Sequence, residues 1–230
     1  SVFGIRPFKA IAKPAILLST VCICAAGAFV LIDLGNVGNV WRMLTGLNLS
    51  SPLAWDMCVI SVYLALNLAY IYLYTRPKPD PRRQKIVSCV ALPVAVLVHS
   101  VTAWIFGLQQ GREMWHTALL APWFVSSALV CGVALVLVVV IALRKVGYLE
   151  LEQGHIVKLA KMLGAFVAVD LYFFGCDLLT SGFPGGSGAE VVSMLVSGPL
   201  APFFWVEIVG CALCAVVCFV PKLRTNPLIV

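Results

Sequence analysis

The chain has 230 residues, of which 61% are hydrophobic and only 11% charged, with a mean hydropathy of +1.01 and a formal net charge of +6. A water-soluble domain carries about a quarter of its residues as Asp, Glu, Lys and Arg, so this composition excludes an ordinary soluble globule and assigns the chain to lipid. The positive balance sits in particular connections and forms no basic stripe suited to nucleic acid.

Six apolar stretches are each long enough to cross about 30 Å of hydrocarbon as a helix. They lie at 15–32, 53–74, 86–108, 117–143, 156–179 and 199–220, and predict an all-α, polytopic transmembrane bundle forming one membrane domain over residues 1–230. Periodicity does not separate helix from strand in runs this apolar, but their length does. The second span carries Asp56, Tyr63, Asn67, Tyr70 and Tyr74 at intervals of seven, four, three and four. That spacing is one helical face, polar from end to end. Pro93 in the third span is expected to kink it about a turn before His99. The fourth has Ala128-x-x-x-Gly132 and Ser127-x-x-x-Cys131, small-to-small spacings that suit close helix contact. Asp170 and Asp177, seven apart in the fifth span, project from one face. The segment Ser181–Gly188 reads as a flexible loop whose glycines follow no phosphate-binding spacing. In the sixth span Cys211, Cys214 and Cys218 share a face with Glu207 and Gly210. Cys22, Cys24, Cys58, Cys89 and Cys131 are also inside spans, and cysteine there acts as a small hydrophobe. Cys176 lies near a rim without an obvious disulfide partner, so no metal site is expected.

Of the 16 Lys and Arg, all but Arg42 and Arg112 fall before the first span, on the connections following the second, fourth and sixth, or, as Lys158 and Lys161, at the start of the fifth span beside the fourth's connection. The positive-inside rule makes that side cytoplasmic. Both ends of the chain are then cytoplasmic, and the 33–52, 109–116 and 180–198 loops face outward. Trp41, Trp55, Trp104, Trp115 and Trp123 cluster toward the outward ends, as an interfacial aromatic belt does. There is no initiator Met or signal peptide, and Asn226–Val230 reads as the approach to another span. The chain is therefore expected to be truncated at both ends.

His99, Asp170 and Glu207 lie at similar depth, about 12–14 Å below the outward surface at 1.5 Å of rise per residue. Asp56 and Asp177 are shallower. Charge inside a bilayer is expensive and marks function. Burial penalises the charged form of either group, which suits an imidazole and two carboxyls to proton exchange near neutral pH. A lipid-soluble quinol, whose hydroxyls need proton acceptors as electrons leave, fits such a layer; a transported ion is the competing ligand. A haem held by two histidines is not available, since only His99 is deep enough: His155 is at the cytoplasmic edge and His116 in an outer loop. Electrons would therefore pass to a carrier in another subunit.

Three segments resemble the NrfD / polysulfide reductase membrane subunits, especially the branch of the HmcC and DsrP proteins of sulfate-reducer redox complexes. The first is Asp33-Leu-Gly35 followed by Trp41, Asn48, Ser51 and Trp55-Asp56, similar to the family's Asp-x-Gly-Arg-Pro loop and the Trp-acid opening of its next helix. The second, the longest, runs from Val98-His-Ser-Val-Thr-Ala-Trp104 through Trp115-His-Thr-Ala-Leu-Leu-Ala-Pro-Trp-Phe-Val-Ser-Ser-Ala128 to Gly132. The third is Val169-Asp-Leu-Tyr172 with Gly198-Pro-Leu-Ala-Pro-Phe-Phe-Trp-Val-Glu207. Asn36 and Asn39 stand where the family has arginines, and Val37 where it has proline. Members of the family have further helices, which are expected before Ser1 and after Val230.

The resemblance implies a quinone site near the outer face, with menaquinone the expected quinone. It implies a ferredoxin-like partner subunit holding 4Fe–4S clusters there, no metal cofactor in this chain, and residence in a prokaryotic inner membrane. The combined expectation is a quinone-interacting subunit of a respiratory oxidoreductase complex. His99, Asp170 and Glu207 are the expected proton-exchanging partners of the quinol, with Trp104 beside them. Asp56 and Asp177 would pass protons outward, and Tyr63, Asn67 and Tyr70 would form any path toward the cytoplasm. The alternatives are an ion-coupled secondary transporter using Asp170 and Glu207, and a passive anchor for a peripheral oxidoreductase.

Overall fold

A computed structural model describes residues 9–33, 35, 38, 45–46, 48, 50–77, 80–111 and 115–225. Asn36, Val37, Asn39, Trp41, Arg42, Arg112 and Asn226–Val230, singled out above, lie outside the described residues, as do Arg6 and Lys78. Among the described residues there are eight helices and no strand: α1 (Lys9–Asp33), α2 (Pro52–Thr75), α3 (Pro81–Gly107), α4 (Leu120–Lys145), α5 (Gln153–Gly182), α6 (Ser187–Ser197), α7 (Ala201–Phe219) and α8 (Pro221–Arg224). Six of them, α1 to α5 and α7, are long and apolar enough to cross a membrane. The all-α multi-span architecture is the one the composition predicts.

Boundaries differ from the hydropathy reading where chain chemistry intervenes. α3 begins earlier, at Pro81, because proline suits the first helical turn and Asp80 caps it: its carboxylate accepts from the backbone N–H of Arg82 at 3.1 Å and of Arg83 at 3.3 Å. α3 continues through Pro93 to Gly107. α4 starts at Leu120 rather than 117, because Thr117 folds into a turn whose hydroxyl accepts from the Leu119 N–H at 3.2 Å.

The largest correction concerns the 180–198 loop. α5 runs on to Gly182, and Ser187–Ser197 is a helix. Gly185 and Gly186 have φ of 82° and 73°, a left-handed backbone that glycine adopts without steric penalty. The glycines make a tight reversal that launches α6 against the end of α5, where Gly182 lies against Val192.

The chain divides into two compact units, Ser1–Ile105 and Phe106–Val230. In the first, α1 packs along α2, and α2 is tied to α3 by two polar bonds. Thr102 donates to Asp56 Oδ1 at 2.8 Å, and Gln84 donates to the Leu73 carbonyl at 3.1 Å. In the second, α5 is the central helix, with α4, α6 and α7 packed on it. Trp123, Phe174 and Phe204 form a chain of ring contacts from α4 through α5 to α7, with centroids 5.1 and 5.9 Å apart. At the far end Arg144 donates to Gln153, which donates to the Thr225 carbonyl at 2.9 Å. Large apolar side chains such as Phe29, Leu179, Phe203 and Val206 are exposed, the surface that a helix presents to acyl chains.

Gly164 sets the closeness of α5 and α7. A Cβ placed there would lie 2.8 Å from the Cβ of Cys218, nearer than real side chains approach. Cysteine here is a small packing residue, as its position in the span suggested. Gly164→Ala should destabilise the protein by about 1–3 kcal/mol, read as a lower unfolding temperature in detergent. Adding Cys218→Gly should recover most of the loss, and an unchanged temperature in the single variant would show that the helices have slack.

Candidate functional site

The ionisable residues of the spans fall into three environments. Asp56, on α2, is 4% exposed and accepts from Thr102 of α3. Asp170, on α5, is half-buried and lies 2.6 Å from the Ser126 hydroxyl of α4. Asp177, one face-repeat further along α5, is 8% exposed, and its Oδ1 has no hydrogen-bond partner among the described residues. Thr117 stands beside its carboxyl.

Two residues expected inside are not. His99 is exposed on α3 although its neighbours Val98 and Ser100 are buried, and Glu207 is exposed on α7. α3 buries Val98, Ser100, Val101 and Ala103, and α7 buries Phe204 and Cys218 on the face that Glu207 shares, so both exposed residues lie beside packed positions. Trp104 is exposed as well. His99 and Trp104 belong to the first unit; Asp170 and Glu207 belong to the second, where both lie within electrostatic reach of the Cys211 thiol.

The α2 stripe faces inward from Asp56 to Tyr70, while Tyr74 is exposed. Asn67 is 2% exposed and Tyr70 is buried; Tyr63 and Ser19 of α1 share a 3.0 Å hydrogen bond, and Asn67 donates to Ser19 at 3.5 Å. These groups floor a groove of about 430 Å³ walled by alanines of α1 and α3. The groove holds no charged group.

The second unit has a different cavity, of about 230 Å³, where α4 begins and α5 ends. His116, Thr117, Asp177, Thr180 and Ser181 supply its polar side; Val191, Val192 and Leu195 of α6 supply an apolar wall. His116 Nδ1 lies 3.0 Å from the Gly107 carbonyl. A carbonyl only accepts, so Nδ1 carries the proton and Nε2 of the neutral ring is left as an acceptor. The cavity is thus lined both by an acid with one unpartnered oxygen and by an imidazole whose Nδ1 is held to a carbonyl. A ring compound with polar oxygens matches a pocket polar on one side and apolar on the other. Among the described residues no three His, Cys, Asp or Glu side chains converge as a metal-ligand set.

His116 is the residue that sequence reasoning missed. It lies in a connection, where helical periodicity gives no depth, and the fold sets it at the cavity that Asp177 also lines. Its place inside the longest segment of the family resemblance was the available signal.

The family model described as Polysulphide reductase, NrfD matches residues 3–230. The chain is 32% identical over 191 residues to a Halobacterium salinarum protein named as a putative dimethyl sulfoxide reductase membrane subunit, a match that takes in 74% of this chain and 44% of that protein. It is 25% identical over 225 residues to the Hdr-like menaquinol oxidoreductase integral membrane subunit of Archaeoglobus fulgidus, covering 96% and 56%. With a selenate reductase subunit of Mesobacillus selenatarsenatis it shares 26% over 215 residues, covering 77% and 50%. The chain spans about half the length of these curated relatives.

An unsatisfied buried oxygen costs about 1–3 kcal/mol, so Asp177 contributes nothing to stability that Asn cannot replace. Asp177→Asn should leave the thermal midpoint in detergent unchanged or raised. A fall of several degrees would make the residue structural.

Proposed function

The chain belongs to the NrfD polysulphide reductase family, and from that premise we propose that it is the quinone-interacting membrane subunit of a respiratory oxidoreductase complex. It exchanges electrons with an iron–sulfur partner subunit and protons near its outward face. The observation that carries this reading is that His116 and Asp177 line one cavity, and that Asp177 Oδ1 is buried without a hydrogen-bond partner among the described residues. A buried acid with one oxygen left unsatisfied is the mark of a group kept for use.

A quinol that gives up two electrons also gives up two protons. Asp177 Oδ1 accepts one and His116 Nε2 the other, with Thr117 holding the carboxyl in place. Val191, Val192 and Leu195 face the ring. The electrons leave to a ferredoxin-like 4Fe–4S carrier in the partner. In quinone reduction the same groups donate. By the distribution of Lys and Arg, the Gly182 end of α5 faces outward, so the protons are released on that side of a prokaryotic inner membrane. The similarity to a menaquinol oxidoreductase subunit supports menaquinone as the quinone. Asp170, one face-repeat and about 10 Å deeper, is the next proton station. Asp56 with Tyr63, Asn67 and Tyr70 forms the corresponding polar line in the first unit. His99, Trp104 and Glu207 complete the proposed set, on faces open to lipid or to a partner.

In membranes holding the assembled complex, Asp177→Asn and His116→Ala should each lower quinol-dependent reduction about 100-fold without loss of the partner subunit. His99→Ala serves as the comparison. Loss with His99→Ala alone would move the head group to α3. Unchanged turnover in all three would mean a passive anchor, and selective loss of solute uptake by vesicles a transporter.

A further inference from the structure

One arrangement occurs twice, once in each unit. The Ser126 hydroxyl lies 2.6 Å from Asp170 Oδ1 and 2.8 Å from the Trp123 carbonyl of its own helix. The Thr102 hydroxyl lies 2.8 Å from Asp56 Oδ1 and 2.9 Å from the Val98 carbonyl. A hydroxyl has one proton to donate and lone pairs to accept with. It cannot donate to both oxygens at once.

We propose that Ser126 is a two-position hydroxyl switch that satisfies Asp170 in both its protonated and its ionised form, with Thr102 doing the same for Asp56. With Asp170 neutral, the acid O–H donates to Ser126 Oγ, and the Ser126 O–H donates to the Trp123 carbonyl. When Asp170 gives its proton to the next acceptor on the path, the Ser126 O–H turns and donates to the carboxylate. The Trp123 carbonyl then keeps the backbone N–H that an α-helix gives it. Neither state leaves Asp170 Oδ1 or the Ser126 hydroxyl unpaired. The acid can therefore cycle inside the membrane without the penalty of an unsatisfied group. A fixed donor such as an amide would hold only one of the two states.

Ser126 is a positioning residue, acting through Asp170. The Cys211 thiol of α7 is within electrostatic reach of Asp170, and also of Cys131 from α4 and of Glu207 and Cys214 on its own helix. α6 carries Glu190, exposed at its first turn. None of these is a hydrogen-bond partner shown for the Asp170 carboxyl, which leaves Ser126 as the group that responds to its proton.

The proposal rests on the reading of the chain as a proton-exchanging subunit, so its test uses no quinol. The full-length protein in detergent is titrated with acid and followed by infrared difference spectroscopy; the carboxylic acid band lost in Asp170→Asn is assigned to Asp170. In Ser126→Ala that band should move to higher frequency, as an acid does on losing a hydrogen-bond partner. Ser126→Thr should restore it. Ser126→Cys, which keeps the shape with a weak donor, should resemble alanine and stands in should the alanine variant fail to fold. A band unmoved in Ser126→Ala or Ser126→Cys overturns the switch, as does the lack of any Asp170-dependent acid band. Because turnover is not measured, either result leaves the quinol reading to its own test.

Discussion

Hydrocarbon offers no hydrogen bonds, so every ionisable side chain on a spanning helix needs a partner within the protein or a purpose that justifies its expense. In this chain the partners are hydroxyls. Thr102 meets Asp56 and Ser126 meets Asp170, each from a neighbouring helix, so the acids link helices and remain able to change protonation state. Asp177 breaks the pattern. It is buried, as Asp56 is, yet its Oδ1 has no partner among the described residues. Asp56 and Asp170 thus each have a hydroxyl of a neighbouring helix at Oδ1, whereas Asp177 Oδ1 has none among the described residues.

The second unit is built to bring that group to a cavity. α5 is the longest helix and carries Asp170 and Asp177 on one face. Close packing at Gly164 against Cys218 fixes it to α7 near one end, and the Trp123–Phe174–Phe204 ring contacts hold α4, α5 and α7 together near the other. Trp205 donates to the Val196 carbonyl at 3.1 Å and ties α6 to α7. α6 therefore forms a firm apolar wall opposite His116 and Asp177. A polar groove with no charge in the first unit and a charged cavity in the second are chemically distinct places, and the acid–imidazole pair is found in the second.

The six spans and the inward face of α2 were legible because both depend on spacing and composition alone. Asp56 and Asn67 are as buried as their stripe implied. α6 was hidden by its own launch: Gly185 and Gly186 read as looseness, whereas their positive φ values make a defined reversal. Depth along a helix placed His99 and Glu207 at one level, but depth does not show which neighbours cover a side chain. Glu207 shares its face with the buried Phe204 and Cys218 and is still exposed, because cover comes from distant parts of the chain. His116 escaped for the complementary reason. A connection has no period, and the hydrogen bond to Gly107 that positions its ring joins a loop to the end of a preceding helix.

The proposed seat of the quinone head group lies between Asp177 and His116. Photolabelling the full-length protein in membranes with an azido-quinone, followed by peptide mapping, tests that position without relying on turnover. The label is expected on the 115–119 segment and on residues 177–195, and excess unlabelled quinone should suppress it. Label confined to α3 around His99, or to the α1–α3 groove, would contradict this seat.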